Sequence, residues 1–238
     1  MHKTWLLFED GSKYSIICET HQVAGVNSRP SDAYIVTDHS EEFLIAAKRA
    51  VNKVHHYCSK AGMSPGRIIA AFDLSERVGY EGAMAGKSCG LSFAAAFAKK
   101  ILTRDLPEIA ATGEVCADGR IARVNGIKTK IETSITLLKE GDYLFFPKDN
   151  FDNIPKSTIY IINKKKIKMF AVSDVSEFMD ILSGKKSRNW TKIKRAVLLV
   201  ILLLSTAAMV LFGYEKLFQA SLDQGLSEPA KPLEKIFE

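Results

Sequence analysis

Residues 196–214 read AVLLVILLLSTAAMVLFGY, 19 positions without a charged side chain. This stretch constrains the chain more than any other. A helix rises about 1.5 Å per residue, so the segment spans roughly 28 Å, close to the ~30 Å hydrocarbon core of a bilayer. Core helices of globular domains keep a polar stripe, and this segment has none. Ser205 and Thr206 are compatible with lipid, because their hydroxyls bond back to carbonyls of their own helix. A single transmembrane helix over 196–214 is expected.

The flanks orient that helix. The chain has 33 basic and 27 acidic residues, a net charge of +6. Lys185, Lys186, Arg188, Lys192, Lys194 and Arg195 all stand in the acid-free segment GKKSRNWTKIKR, residues 184–195. The positive excess is therefore a linker beside the span, and the balanced remainder argues against nucleic acid as a partner. Such a linker attracts anionic headgroups at about 1 kcal/mol per charge. Residues 215–238 carry three lysines against five acids. The positive-inside rule then places residues 1–195 in the cytoplasm and the short tail 215–238 outside a cytoplasmic membrane crossed once. Trp190 and Tyr214 suit the two interfaces. The N-terminal MHKTWLLFEDGSKY lacks the apolar run of a signal peptide. Cysteines 18, 58, 89 and 116 have no C-x-x-C spacing and no histidine pair nearby, so reduced thiols and no metal site are expected.

Residues 1–183 alternate between strand and helix patterns. Strands are expected at 4–8 and 14–19 around the turn Glu9-Asp-Gly-Ser12, and at 67–73. A helix over 40–61 has Ser40 as its cap, Glu41 and Glu42 in its first turn, and Gly62 after its end. A second helix covers 89–102. Strands follow at 109–116 and 120–124, then a helix at 127–140. Strands at 143–147, 158–162 and 167–172 come next, with the lysines at 164–166 in a hairpin turn. A helix over 174–182, capped by Ser173, closes a mixed α/β (α+β) domain.

The segment Gly82-Ala-Met-Ala-Gly-Lys-Ser-Cys-Gly90 admits two chemistries. Its Gly-Lys-Ser resembles the end of a phosphate-binding P-loop. That loop needs glycine, four residues, then Gly-Lys-Ser/Thr, and counting back from Gly86 lands on Glu81. The alternative is a nucleophile, Ser88, presented at a helix N-terminus. Histidines 55 and 56 are adjacent on one helix, and 21 and 39 lie in or near early loops, so a lysine is the remaining base. A lysine serves only if burial brings its pKa toward neutrality. In VNGIKTKIETSITLLKEG, Ile127, Ile131 and Ile135 line one face and Lys128 sits in the first turn. Lys128 is therefore expected to face inward, and Lys130 to be solvated.

Four segments, with two flanking ones, resemble the proteolytic domain of Lon proteases. Gly86-Lys-Ser-Cys-Gly90 is similar to that family's Gly-Pro-Ser-Ala-Gly, and Thr112-Gly-Glu114 to its Thr-Gly-Glu. Gly119-Arg-Ile121 is similar to its Gly-Arg-Val, and Asn125-Gly-Ile-Lys-Thr-Lys130 to its Gly-Gly-Leu-Lys-Glu-Lys. Glu81-Gly-Ala83 and Phe146-Pro-Lys-Asp-Asn150 match as well, so the resemblance runs over about residues 1–183. It implies a Lon-type fold of mixed sheets and packed helices, with Ser88 as nucleophile and Lys128 as general base. Thr112 is placed beside that lysine, and Gly86, Lys87, Cys89 and Gly90 form the serine loop. It further implies hydrolysis of unfolded or flexible polypeptides without a cofactor, and a homo-oligomeric ring, commonly a hexamer. The family's ATPase module does not fit in 238 residues. ATP-independent cleavage, or a separate unfoldase partner, follows as an expectation. The chain departs from the pattern at Lys87 (proline in the family), Cys89 (alanine) and Asn125 (glycine), and its loop before Ser88 is shorter. An inactive Lon-like module that binds a partner at the membrane is the alternative reading, and a P-loop nucleotide binder a further one.

The expected anchor has a direct check. Alkaline carbonate extraction leaves the full chain in the membrane pellet; release into the supernatant rejects a spanning helix.

Overall fold

A computed structural model describes residues 3–23, 31–63, 66–74, 86–102 and 104–185. All of these lie in the compact unit Met1–Lys185. The expected span 196–214, the linker beyond Lys185, the tail 215–238 and the segment Glu81–Ala83 fall outside the described residues. Among the described residues, no helix is long and apolar enough to cross a membrane.

The order of elements is β1 (Thr4–Leu7), β2 (Lys13–Gln22), β3 (Asp32–Ile35), α1 (Glu41–Lys60), β4 (Ile68–Asp73), a 3-10 turn at Lys87–Cys89 and α2 (Gly90–Ile101). Then come β5 (Ile109–Ala111), β6 (Glu114–Val115), β7 (Ile121–Ala122), α3 (Ile127–Leu137) and β8 (Tyr143–Pro147). A second 3-10 turn (Lys148–Asn153), α4 (Lys156–Lys164), β9 (Lys168–Val172) and α5 (Val175–Leu182) complete the domain. Seven strands form one sheet in the order β3-β4-β2-β1-β5-β8-β9, and β6 and β7 pair as a separate antiparallel ribbon. Within the large sheet, β2 alone runs against its neighbours, and every other pairing is parallel. The carboxyl ends of β1, β3, β4, β5, β8 and β9 therefore all point to one edge of the domain.

Side-chain alternation along the strands builds two cores. Leu6, Ala111 and Phe145 pack with Val51 of α1, Phe93 of α2 and Phe178 of α5. Their sequence neighbours Leu7, Ala110, Leu144 and Phe146 pack on the other face with Ile127 and Ile131 of α3 and Ile162 of α4. Strands covered on both faces read as continuous apolar runs, as IAA and YLFFP do. In β2, residues 14–16 are all buried; from Ile16 on, Ile16 and Cys18 are buried while Ile17 and Glu19 are exposed, the alternation of a strand covered on one face. Ser40 caps α1 as expected, its hydroxyl accepting from the Phe43 amide at 3.3 Å.

Several expectations are corrected. Residues 158–162 are not a strand but the middle of α4. β8 and β9 are parallel neighbours, and a parallel pair needs a crossover, normally helical. The run Thr-Ile-Tyr-Ile-Ile has strand-like residue types, but its burial is helical. Thr158 and Ile162 are buried, whereas Tyr160 and Ile161 are exposed. The lysines at 164–166 therefore close a helix rather than a hairpin. The strand expected at 109–116 breaks at Thr112 and Gly113 into β5 and β6. The cap of α5 is Asp174 rather than Ser173, accepting from the Glu177 amide at 2.9 Å. β3 is additional; its Ala33 and Ile35 point inward with period two.

The helical assignment of α4 is separable from a strand by mutation. Ile162→Ala lowers stability by about 2–5 kcal/mol, the range for truncating a buried aliphatic side chain. Tyr160→Ala stays within about 0.5 kcal/mol, as exposed positions do. Denaturant melts test this, and a comparable loss at 160 and 162 restores the strand.

Candidate active site

Ser88 sits in the 3-10 turn that opens α2, at the edge where the parallel strands end. Two groups from the break between β5 and β6 hold its carbonyl. The Gly113 amide donates to it at 2.7 Å and the Thr112 hydroxyl at 3.3 Å. In return, the Leu91 amide donates to the Gly113 carbonyl at 2.9 Å. These bonds require close contact of backbones, and Gly90 permits it: a Cβ there would stand 2.8 Å from the Val115 amide nitrogen. Gly86 leads into the turn with φ of 108°. The buried Cys89 thiol donates to the Gly86 carbonyl at 2.9 Å. Burial pushes that thiol's pKa well up, so it stays protonated and structural.

The inward-facing lysine is not the one expected from the sequence. Lys128 is exposed, and Lys130 is buried with its side chain wholly inaccessible. Lys130 Nζ donates to Ser88 Oγ at 3.0 Å. The reason is helix phase. At about 3.6 residues per turn, Lys130, Ile131 and Ser134 fall within roughly 60° of Ile127, while Lys128 lies about 100° away. The buried residues of α3 are Ile127, Lys130, Ile131 and Ser134, and Ile135, taken as part of the apolar face, is only half-buried. Replacing Ile135 by Ser134 in that pattern is the signal that selects Lys130. Thr112 is fully buried, and its hydroxyl hydrogen goes to the Ser88 carbonyl rather than to the lysine, so it fixes the serine turn.

Two contacts set the start of α3. Asn150 is buried and exchanges both of its amide-group bonds with Val124, at 2.9 Å each. Gly126 caps the helix with φ of 62°, and a Cβ there would meet Glu9 Cγ at 2.7 Å. That close approach brings the Glu9 carboxylate to 3.9 Å from Lys130 Nζ at the solvent side of the site. Burial holds the Lys130 amine below the ordinary lysine value, while the Glu9 carboxylate acts in the opposite direction. Lys87 is exposed and pairs with Glu42 of α1 at 3.5 Å. Among the described residues, no cluster of histidine, cysteine and carboxylate side chains is arranged to hold a metal ion.

The arrangement contains a hydroxyl, an amine biased toward its neutral form, and a helix N-terminus beside them. An unfolded chain keeps its proton on this lysine up to about the ordinary value of 10.5, and the folded chain releases it at lower pH. Below both values the buried cation lowers stability; as pH rises between them, the folded state gains. Denaturant melts over a pH series then show the parent gaining on Lys130→Met as pH approaches 10.5. The gain is about 1.4 kcal/mol for each unit between the two values. A pH-independent difference rejects a buried, destabilised cation. No protein-family model matches the chain, and no curated protein matches its sequence.

Proposed function

We propose that the chain is a membrane-anchored serine endopeptidase that hydrolyses peptide bonds in unfolded or flexible polypeptides, with Ser88 as nucleophile and Lys130 as base. One observation carries this reading: a fully buried lysine amine lies 3.0 Å from Ser88 Oγ. Neutral Lys130 takes the hydroxyl proton as Oγ attacks the substrate carbonyl. The resulting ammonium returns that proton to the departing amine as the peptide bond breaks, leaving an acyl-serine. Water then loses a proton to Lys130, attacks the ester, and Ser88 regains its hydrogen.

The first amides of a helix have no partners within it, and its dipole favours negative charge there. Amides beside Ser88 are the proposed donors to the tetrahedral oxyanion, each typically contributing about 3–4 kcal/mol. The resemblance to Lon proteolytic domains supports the same reading, with Lys130 in place of Lys128. The segment 196–214 supports the anchor. A ring of copies and a separate unfoldase enter through the resemblance alone. The pairing of Lys87 with Glu42 weighs against the phosphate-binding reading, in which Lys87 would face the loop.

Cleavage of an unstructured polypeptide by the full chain in nanodiscs tests the assignment. Ser88→Ala abolishes it, and Lys130→Ala lowers it by at least about 10²–10⁴-fold. Lys128→Ala stays within about twofold, as an exposed substitution should. Activity of the parent rises with pH as Lys130 loses its proton and levels below 10.5. Cleavage that persists in Ser88→Ala overturns the mechanism, and a parent inert on every unstructured substrate favours the binding-module reading.

A further inference from the structure

The helix α2 runs from the serine turn to the opposite edge of the domain, about 18 Å away at 1.5 Å per residue. There it ends beside the last turns of α1 and α5, the end of β2 and the start of β4. These ends line an open cavity of about 640 Å³. Its floor is apolar, built from the buried Cys58, Ile68 and Leu102. Its walls carry Lys100, Arg104 and Lys185, and none of its lining residues is an acid. Arg104 is set by a 3.2 Å bond to the Leu182 carbonyl, and Lys185 lies 5.5 Å from the centre of the Tyr57 ring. Of the nearby carboxylates, Asp180 accepts from the Tyr57 hydroxyl, and Asp105 lines a smaller neighbouring cavity that Lys100 and Arg104 also border. An apolar floor under three cations is complementary to one class of ligand, an amphiphile with an anionic head.

The end of the described chain indicates where that ligand comes from. Lys185 is both a wall of the cavity and the last described residue. Ten residues, 186–195, separate it from the apolar stretch 196–214, and five of them are basic. Those five are repelled by the cavity's own cations, so this part of the chain is a poor occupant. We propose that the cavity receives an acyl chain of an anionic membrane lipid, whose phosphate sits against Lys100, Arg104 and Lys185. The inference rests on the membrane-anchor reading. It adds that the edge opposite Ser88 is a lipid-binding edge.

The test uses the full chain in nanodiscs containing a trace of phosphatidylglycerol with a diazirine near the end of one acyl chain. A parallel sample carries the same diazirine on phosphatidylcholine. The expected result is phosphatidylglycerol label on peptides containing Cys58, Ile68 or Leu102, in addition to label within 196–214. Phosphatidylcholine labels only 196–214. Lys100→Glu combined with Arg104→Glu reduces the cavity label about tenfold or more, as expected for two charge reversals beside an anionic headgroup, while label in 196–214 persists. Lys185→Glu, exposed on the wall, reduces it without touching the Arg104 contact to α5. Label confined to 196–214 with both lipids overturns the cavity and leaves the anchor intact. Label absent from 196–214 as well overturns the anchor, and the cavity proposal with it. Equal cavity label from both lipids overturns the charge-based recognition.

Discussion

A reciprocal pair of backbone hydrogen bonds fixes the serine. Gly113 donates to the Ser88 carbonyl and Leu91 donates to the Gly113 carbonyl, so the end of β5 and the start of α2 each satisfy groups the other leaves open. Buried backbone groups that lack such partners are costly, and this pairing occurs where a strand has ended and a helix has not fully begun. The rest of the site follows from it. Gly90 must lack a side chain for the two backbones to meet. Thr112 must end its strand to turn its hydroxyl toward the same carbonyl. With the turn held in this way, the Ser88 side chain faces α3.

The lysine that meets it is a deliberate expense of stability. An ammonium group moved out of water is destabilised unless it is paired, and Glu9, 3.9 Å away, is mostly exposed. Burial and that carboxylate pull the Lys130 proton in opposite directions, with burial the larger. The site thus holds an amine that binds its proton less tightly than an exposed lysine does, with a carboxylate at its mouth that limits the effect. Cys89 is buried beside it with its hydrogen committed to the Gly86 carbonyl.

Much of this was legible in the residues. The span of α1 and its Ser40 cap, the β1–β2 pair and the serine turn follow from period and capping residues. The choice of lysine failed because three isoleucines were taken as the marker of the inward face. Ser134 is small and polar, yet it is buried, its hydroxyl bonding to the Ile131 carbonyl at 2.6 Å. A polar residue satisfied by its own helix is invisible to an apolar count, and here it shifted the apparent face by about half of one residue's rotation. The strand expected at 158–162 failed for a different reason. Its isoleucines, threonine and tyrosine favour strands locally, and only the parallel pairing of β8 with β9, a tertiary fact, demands a helix there.

The parallel pairing of β1 with β5 joins the first strand of the chain to one that follows α2. Glu9, Ser88 and Lys130 likewise come from three separate stretches of sequence. Contacts of such high order form late, because the loops between them must close first. During synthesis the serine therefore leaves the ribosome before its amine partner exists as a folded neighbour. A nascent chain holds an ordinary alcohol at position 88, and its amine neighbour arrives only with completion of the fold.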